Sequence, residues 1–127
     1  MNNSWYDKLN KSKLTPPNYI FPIVWSFLYI TIFISFFIII YHSGFSHKKA
    51  ILFFGIQMLL NLIWTPIFFK LRNIKLSLCV ILFLWMLILL TIIEFLQINI
   101  YSGLLLIPYY IWVSFATYLN AYIYLYN

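Results

Sequence analysis

The stretch QMLLNLIWTPIFF, residues 57–69, decides the fold. It lies in an uncharged run of 20 residues between Lys49 and Lys70. At ~1.5 Å per residue, a helix of that length crosses a hydrocarbon core of ~30 Å. The run nevertheless carries an amide at Gln57, another at Asn61 and an indole at Trp64. Their i, i+4, i+7 spacing puts all three on one helical face. Polar groups are costly in lipid and normally face a bundle interior or a cavity. This helix is therefore expected to be a pocket wall, and the rest of the chain to close the pocket.

The composition sets the class. Of 127 residues, 65% are hydrophobic, 23% aromatic and 8% charged. A soluble domain of this size cannot hide so much apolar surface. A β-barrel would show short alternating segments in place of long uncharged runs. The expected fold is an all-α membrane protein, a bundle of four transmembrane helices forming a single domain over residues 1–127. The net charge of +6 does not point to nucleic acid, because Lys8, Lys11, Lys13, Lys48, Lys49, Lys70, Arg72 and Lys75 all fall in gaps between apolar runs. They read as topology signals and anchors for anionic headgroups. Cys79 is the single cysteine, so no internal disulfide forms, and it is expected to be a small buried apolar residue. The polar N-terminus does not read as a signal peptide. His42 and His47 lack a nearby carboxylate and read as an interfacial loop rather than a metal site.

Four helices are expected over about residues 17–41, 50–69, 76–93 and 103–125. Trp5-Tyr6 suits the headgroup layer. Pro17 fits the first turn of the first helix, where its missing N–H costs nothing. That helix carries Phe21, Trp25, Leu28, Tyr29 and Ile32 on one face, with Pro22 in its first turns. Residues 70–75 make a short basic turn, so the second and third helices form an antiparallel hairpin. Glu94 is expected to close the third helix, and Pro108 to interrupt the fourth. With four spans, six basic residues fall on the side of the termini and two, Lys48 and Lys49, on the other. The positive-inside rule then puts both termini in the cytoplasm, taking the membrane as a bacterial inner membrane.

Three blocks resemble a known family. WYDKLNKSKLTPP with IVWSFLY, then QMLLNLIWTPIFF, then LLIPYYIWVSFATYLN are similar to the translocator protein / tryptophan-rich sensory protein (TspO/MBR) family, also called peripheral-type benzodiazepine receptors. The resemblance implies a five-helix bundle, usually dimeric, that binds porphyrins and, in many members, sterols and synthetic ligands. It implies a pocket lined by Trp25, Tyr29, Asn61, Trp64, Trp112, Ala116 and Leu119, with Pro108, Tyr109 and Asn120 in the matching fifth-helix block. Trp5, Tyr6, Lys11, Pro16 and Pro17 match the loop that lids the pocket mouth. Three departures stand out. Only four residues precede Trp5, where the family has a whole helix; Ser12 stands where a proline is usual; and no basic residue follows Lys75 to complete the C-terminal sterol pattern. Lys13, Tyr19 and Val24 fit only its reversed form.

A tetrapyrrole is a flat π-system with carboxylates at one edge. It calls for an apolar slot with rings to stack on and basic groups at the mouth. Trp25, Trp64 and Trp112 are expected to supply the rings, and Lys8, Lys11 and Lys13 to meet the propionates. Amides such as Gln57, Asn61 and Asn120 serve equally as interhelical glue, at ~0.6 kcal/mol each. No His–carboxylate pair, phosphate loop or metal cluster stands in the sequence, so no catalytic residue or cofactor is assigned. The expected function is a membrane receptor or carrier for porphyrin or another apolar ligand, acting as a homodimer in the bilayer. The alternatives are light- and oxygen-dependent porphyrin breakdown by Trp25 and Trp112, or a reduced structural protein without ligand.

Overall fold

The computed structural model describes residues 4–127; the first three residues of the expected domain lie outside them. Among the described residues there are six helices and no strand: α1 (Ser4–Asp7), α2 (Ile20–Ser43), α3 (Lys48–Phe69), α4 (Ile74–Ile98), α5 (Ile100–Leu105) and α6 (Ile107–Tyr126). Four spans are long and apolar enough to cross a membrane: α2, α3, α4 and the continuous stretch Ile100–Tyr126 that joins α5 to α6.

The helix ends differ from the sequence reading in three places. Pro17 lies before α2 rather than in its first turn; its carbonyl accepts from the N–H of Ile20 at 3.0 Å, closing a turn ahead of the helix. Consecutive prolines hold the residues before them extended, which delays helix entry. Pro22 instead occupies the first turn of α2, where its missing N–H has no intrahelical partner to lose. Helix α4 runs past Glu94, because Lys49 at the start of α3 pairs with that carboxylate at 3.1 Å. Asn73 starts α4 by accepting from the N–H of Leu76 at 3.0 Å. The last span starts at Ile100 rather than Gly103 and is broken at Leu106, two residues ahead of Pro108. Asn99 caps α5 through the N–H groups of Tyr101 and Ser102, and Pro108 falls in the first turn of α6.

Helix α3 packs along α4, α4 along α5 and α6, and α2 against α5 and, more thinly, α6. Small residues permit the tightest approaches. Ser35 on α2 donates to the carbonyl of Ser102 at 2.6 Å. A Cβ added at Gly103 would stand 2.4 Å from the Leu96 side chain and 3.1 Å from its backbone nitrogen. Leu28, Ile32, Ile81, Leu84, Ile88, Phe95 and Val113 fill the core. Helices α2 and α3 face one another across a looser seam, bridged by Phe36 stacked on Phe54 at 4.3 Å.

Outward faces are apolar. On α2, Ile23, Phe27, Ile30, Ile34, Phe37 and Tyr41 are all exposed and recur every three or four residues. In water such a stripe would be an aggregation surface; against lipid it costs nothing. Cys79 lies on such a face of α4, exposed and not buried as its residue type suggested, because the core side of that turn is held by Ser77 and Ile81. At one end of the bundle the N-terminal segment, the α3–α4 turn and the C-terminus meet. The guanidinium of Arg72 sits 5.6 Å from the Trp5 ring, and the Asn10 N–H donates to Oδ1 of Asn127 at 3.0 Å.

Candidate functional site

A cavity of about 270 Å³ opens between α2, α3 and α6 below the N-terminal segment. Helical spacing explains which residues reach it. Helix α2 contributes Phe21, Pro22, Trp25 and Tyr29; α3 contributes Asn61, Trp64, Thr65, Phe68 and Phe69; α6 contributes Ala116, Leu119, Asn120 and Ile123. Tyr6 and Asn18 complete the wall from the segment above. Among the described residues, no charged side chain lines it.

The polar groups at the wall are engaged with one another. The Tyr29 hydroxyl donates to Oδ1 of Asn61 at 2.5 Å, and Nδ2 of Asn61 donates to the Tyr109 hydroxyl at 2.8 Å. Tyr109 in turn donates to Oε1 of Gln57 at 2.7 Å. Separately, the Trp64 indole N–H donates to Oδ1 of Asn120 at 3.0 Å, and Nδ2 of Asn120 reaches the Ile74 carbonyl at 3.4 Å. Trp25 lies edge-on to Tyr109 and tilted on Tyr29, with ring centroids 6.4 Å and 5.8 Å away. The cavity is thus an apolar, aromatic slot with a few fixed amide and phenol groups, the usual make-up of a small-molecule site.

The residues singled out from sequence divide. Trp25, Tyr29, Asn61, Trp64, Ala116, Leu119 and Asn120 converge on this one cavity. Trp112 and Pro108 do not. Trp112 packs edge-to-face on Phe21 at 5.8 Å, and it is Phe21 that lines the cavity; the Trp112 indole nitrogen is buried without a partner among the described residues. Pro108 is exposed at the start of α6, eight residues or roughly 12 Å of helix from Ala116.

The lid residues also divide. Tyr6 is buried and roofs the cavity against Phe68 and Phe69, at 6.0 Å and 5.3 Å between ring centroids. Burial pushes its phenol above the usual tyrosine range, and the neighbouring Asp7 charge adds to the shift. Lys11 holds the roof from outside: its ammonium donates to the Tyr6 carbonyl at 3.2 Å and lies 4.3 Å from the centre of the ring. Trp5 packs on Phe68 at 5.6 Å without lining the cavity. Pro16 and Pro17, with Lys11, border a separate shallow depression beside Tyr122 and Tyr126. Lys8 and Lys13 are exposed on the outer side of this cover.

Several lining residues had gone unassigned. Thr65 and Phe68 follow Asn61 by four and seven residues, so the face that marked Gln57, Asn61 and Trp64 already contained them. Ile123 follows Asn120 by three. Asn18 carried no periodic signal; it is placed by a hydrogen bond to Oδ1 of Asp7 at 3.0 Å.

Fold and site together define an integral membrane helical bundle with a ligand-sized cavity inside it. The sequence matches the TspO/MBR family over residues 1–125, and the chain belongs to that family. It is 33% identical over 118 residues to the tryptophan-rich sensory protein of Cereibacter sphaeroides, covering 93% of this chain and 73% of that one. It is 32% identical over 127 residues to the tryptophan-rich protein TspO of Bacillus cereus, covering 100% and 83%. The human translocator protein is 30% identical over 119 residues, covering 91% and 70%.

Proposed function

We propose that this protein is a membrane receptor or carrier that takes a porphyrin, such as haem or a precursor, or another apolar molecule such as a sterol, into the cavity between α2, α3 and α6. The observation that carries this reading is an uncharged aromatic cavity, walled by Trp25 and Trp64, inside helices long enough to span a bilayer. At about 270 Å³ it lies at the small end of ligand pockets, so a tetrapyrrole would place part of its macrocycle there and leave its carboxylate edge outside. Lys8 and Lys13, exposed on the cover, suit that edge. We take the protein to act as a homodimer in a bacterial inner membrane with both termini cytoplasmic; the end that gathers Lys8, Lys11, Lys13, Lys70, Arg72 and Lys75 supports the orientation.

Titration of purified protein with a porphyrin tests the reading. Saturable quenching of tryptophan fluorescence with a reversible shift of porphyrin absorption supports it, and absence of saturation refutes it. The enzyme-like alternative, light- and oxygen-dependent porphyrin breakdown, is favoured by Trp25, whose ring lines the cavity and whose N–H has no partner among the described residues. It would appear in the same titration as irreversible bleaching under light.

A further inference from the structure

One hydrogen-bond relay runs from the cavity wall into the core. The Tyr29 hydroxyl donates to Asn61, Asn61 donates to Tyr109, and Tyr109 donates to Gln57. Every proton points the same way, inward from the cavity. Tyr29 and Asn61 line the cavity; Tyr109 and Gln57 are 0% and 1% exposed and do not. It is Oε1 of Gln57 that faces Tyr109, while Nε2 has no partner among the described residues, so in this arrangement Gln57 serves the relay as an acceptor.

That last link fixes the others. A phenol has one proton to give and lone pairs to receive with. The Tyr109 proton goes to Gln57, so toward Asn61 Tyr109 can only accept. Asn61 must then turn its nitrogen to Tyr109 and its oxygen to Tyr29. The Tyr29 proton is thereby committed to Asn61, and what Tyr29 retains for the cavity is its lone pairs.

We propose that Gln57 is a positioning residue that sets the hydrogen-bond polarity of the cavity wall, making Tyr29 an acceptor, so that the site favours apolar ligands bearing a donor, a hydroxyl or pyrrole-type N–H, over the same scaffold bearing a carbonyl. This rests on the cavity being a ligand site and adds the class of polar group it reads. Without Gln57, the Tyr109 proton is free to turn to Asn61. The amide turns over, its nitrogen donates to Tyr29, and the Tyr29 proton is released to the cavity. A carbonyl can then be received at Tyr29, and the discrimination against carbonyl-bearing ligands is lost.

The test uses the full chain in lipid nanodiscs and three flat probes of one shape: fluorene, 9-fluorenol and 9-fluorenone. Each is titrated by tryptophan quenching into the wild type, Tyr29→Phe and Gln57→Leu. Comparing one probe across variants cancels its partition into lipid. The wild type is expected to bind 9-fluorenol about fivefold more tightly than Tyr29→Phe does, the scale of one net hydrogen bond, with no such gain for 9-fluorenone. Gln57→Leu is expected to keep the 9-fluorenol gain, because a hydroxyl accepts as well as donates, to bind 9-fluorenone more tightly than the wild type does, and to leave fluorene unchanged. Equal weakening of all three probes in Gln57→Leu would mean that Gln57 only packs, and overturns the proposal. So does a wild-type gain for 9-fluorenone through Tyr29. If Gln57→Leu does not fold, Tyr109→Phe frees Asn61 from Gln57 in the same way and carries the same expectation. Absence of saturable fluorene binding to the wild type would refute the cavity reading itself, and this inference with it.

Discussion

Replacing Trp64 by Phe removes one hydrogen bond from the wall and keeps an aromatic ring beside Phe68 and Phe69. The indole N–H donates to Oδ1 of Asn120 at 3.0 Å, and Asn120 is 2% exposed. Deleting the donor strands a buried carbonyl oxygen, at about 1–3 kcal/mol in water-soluble proteins. In bilayers the unfolded helices find other partners, and interhelical hydrogen bonds average ~0.6 kcal/mol. Trp64→Phe should therefore cost roughly 1–2 kcal/mol, hydrogen bond and lost ring volume together. A double-mutant cycle with Asn120→Leu separates the two, because the lost ring volume enters both legs and cancels. Once Asn120 is gone no oxygen is stranded, so the Trp64 substitution should cost about 1 kcal/mol less in that background. The assay is unfolding in mixed micelles of rising SDS fraction, followed by far-UV circular dichroism. An equal cost of Trp64→Phe in both backgrounds would show that the bond contributes nothing and that Trp64 is held by packing alone.

Ala116, 6% exposed and on the cavity wall, has room before it, and Ala116→Leu should fill the cavity and weaken porphyrin binding at least about tenfold in a quenching titration, with little loss of stability. Trp112→Phe should leave porphyrin affinity within about twofold of wild type, since Trp112 touches the cavity only through Phe21, and it removes a buried N–H that has no partner among the described residues. The orientation is read by thiol labelling in a Cys79→Ser background: a cysteine at Ser46 should react from outside intact cells and one at Arg72 should not, and the reverse pattern would overturn it.

The bundle was legible because membrane helices announce themselves by length and uncharged composition, and four such runs stand in the sequence. Boundaries were harder wherever a local charge or proline suggested a stop that tertiary contact overrode. Glu94 ends the apolar run but not α4, since Lys49, distant in sequence, neutralises it. Most of the wall was legible from two sources, the i, i+4, i+7 face of α3 and the family resemblance, and these agree at Asn61 and Trp64. Trp112 and Pro108, which the resemblance also puts at the pocket, stand off this cavity, because matched position does not record which neighbouring ring stands closest to it. The resemblance picked out Tyr109 in the fifth-helix block, but not its part as a polar hub. Nothing in IPYYIW distinguishes the wholly buried Tyr109 from the partly buried Tyr110, which stacks on Trp85 at 5.4 Å.

The two amides of the wall, alike in sequence, have different work. Both ends of Asn120 are taken by protein, its oxygen by Trp64 and its nitrogen by the Ile74 carbonyl, and these partners lie on α3 and α4. Asn120 therefore ties α6 to the hairpin, and its contribution is to stability. Asn61 also has its oxygen and one N–H engaged, but its partners are phenols, which can give or receive. Turning the Asn120 amide over would set nitrogen against an indole N–H and oxygen against a carbonyl, so its orientation is fixed by chemistry. The Asn61 amide has no such lock of its own and takes its direction from Gln57 at the far end of the relay. It follows that substituting Asn120 by Leu should strand the Trp64 indole N–H and the Ile74 carbonyl together, since neither can change its role. Substituting Asn61 by Leu strands less, because Tyr109 keeps its bond to Gln57 and the Tyr29 hydroxyl can turn to the cavity. Stability measured by the same SDS unfolding should fall more for Asn120→Leu than for Asn61→Leu, while ligand polarity should change only for the latter. Equal destabilisation would show that the neighbouring phenols are as rigid as the indole and carbonyl, and that the relay does not turn over.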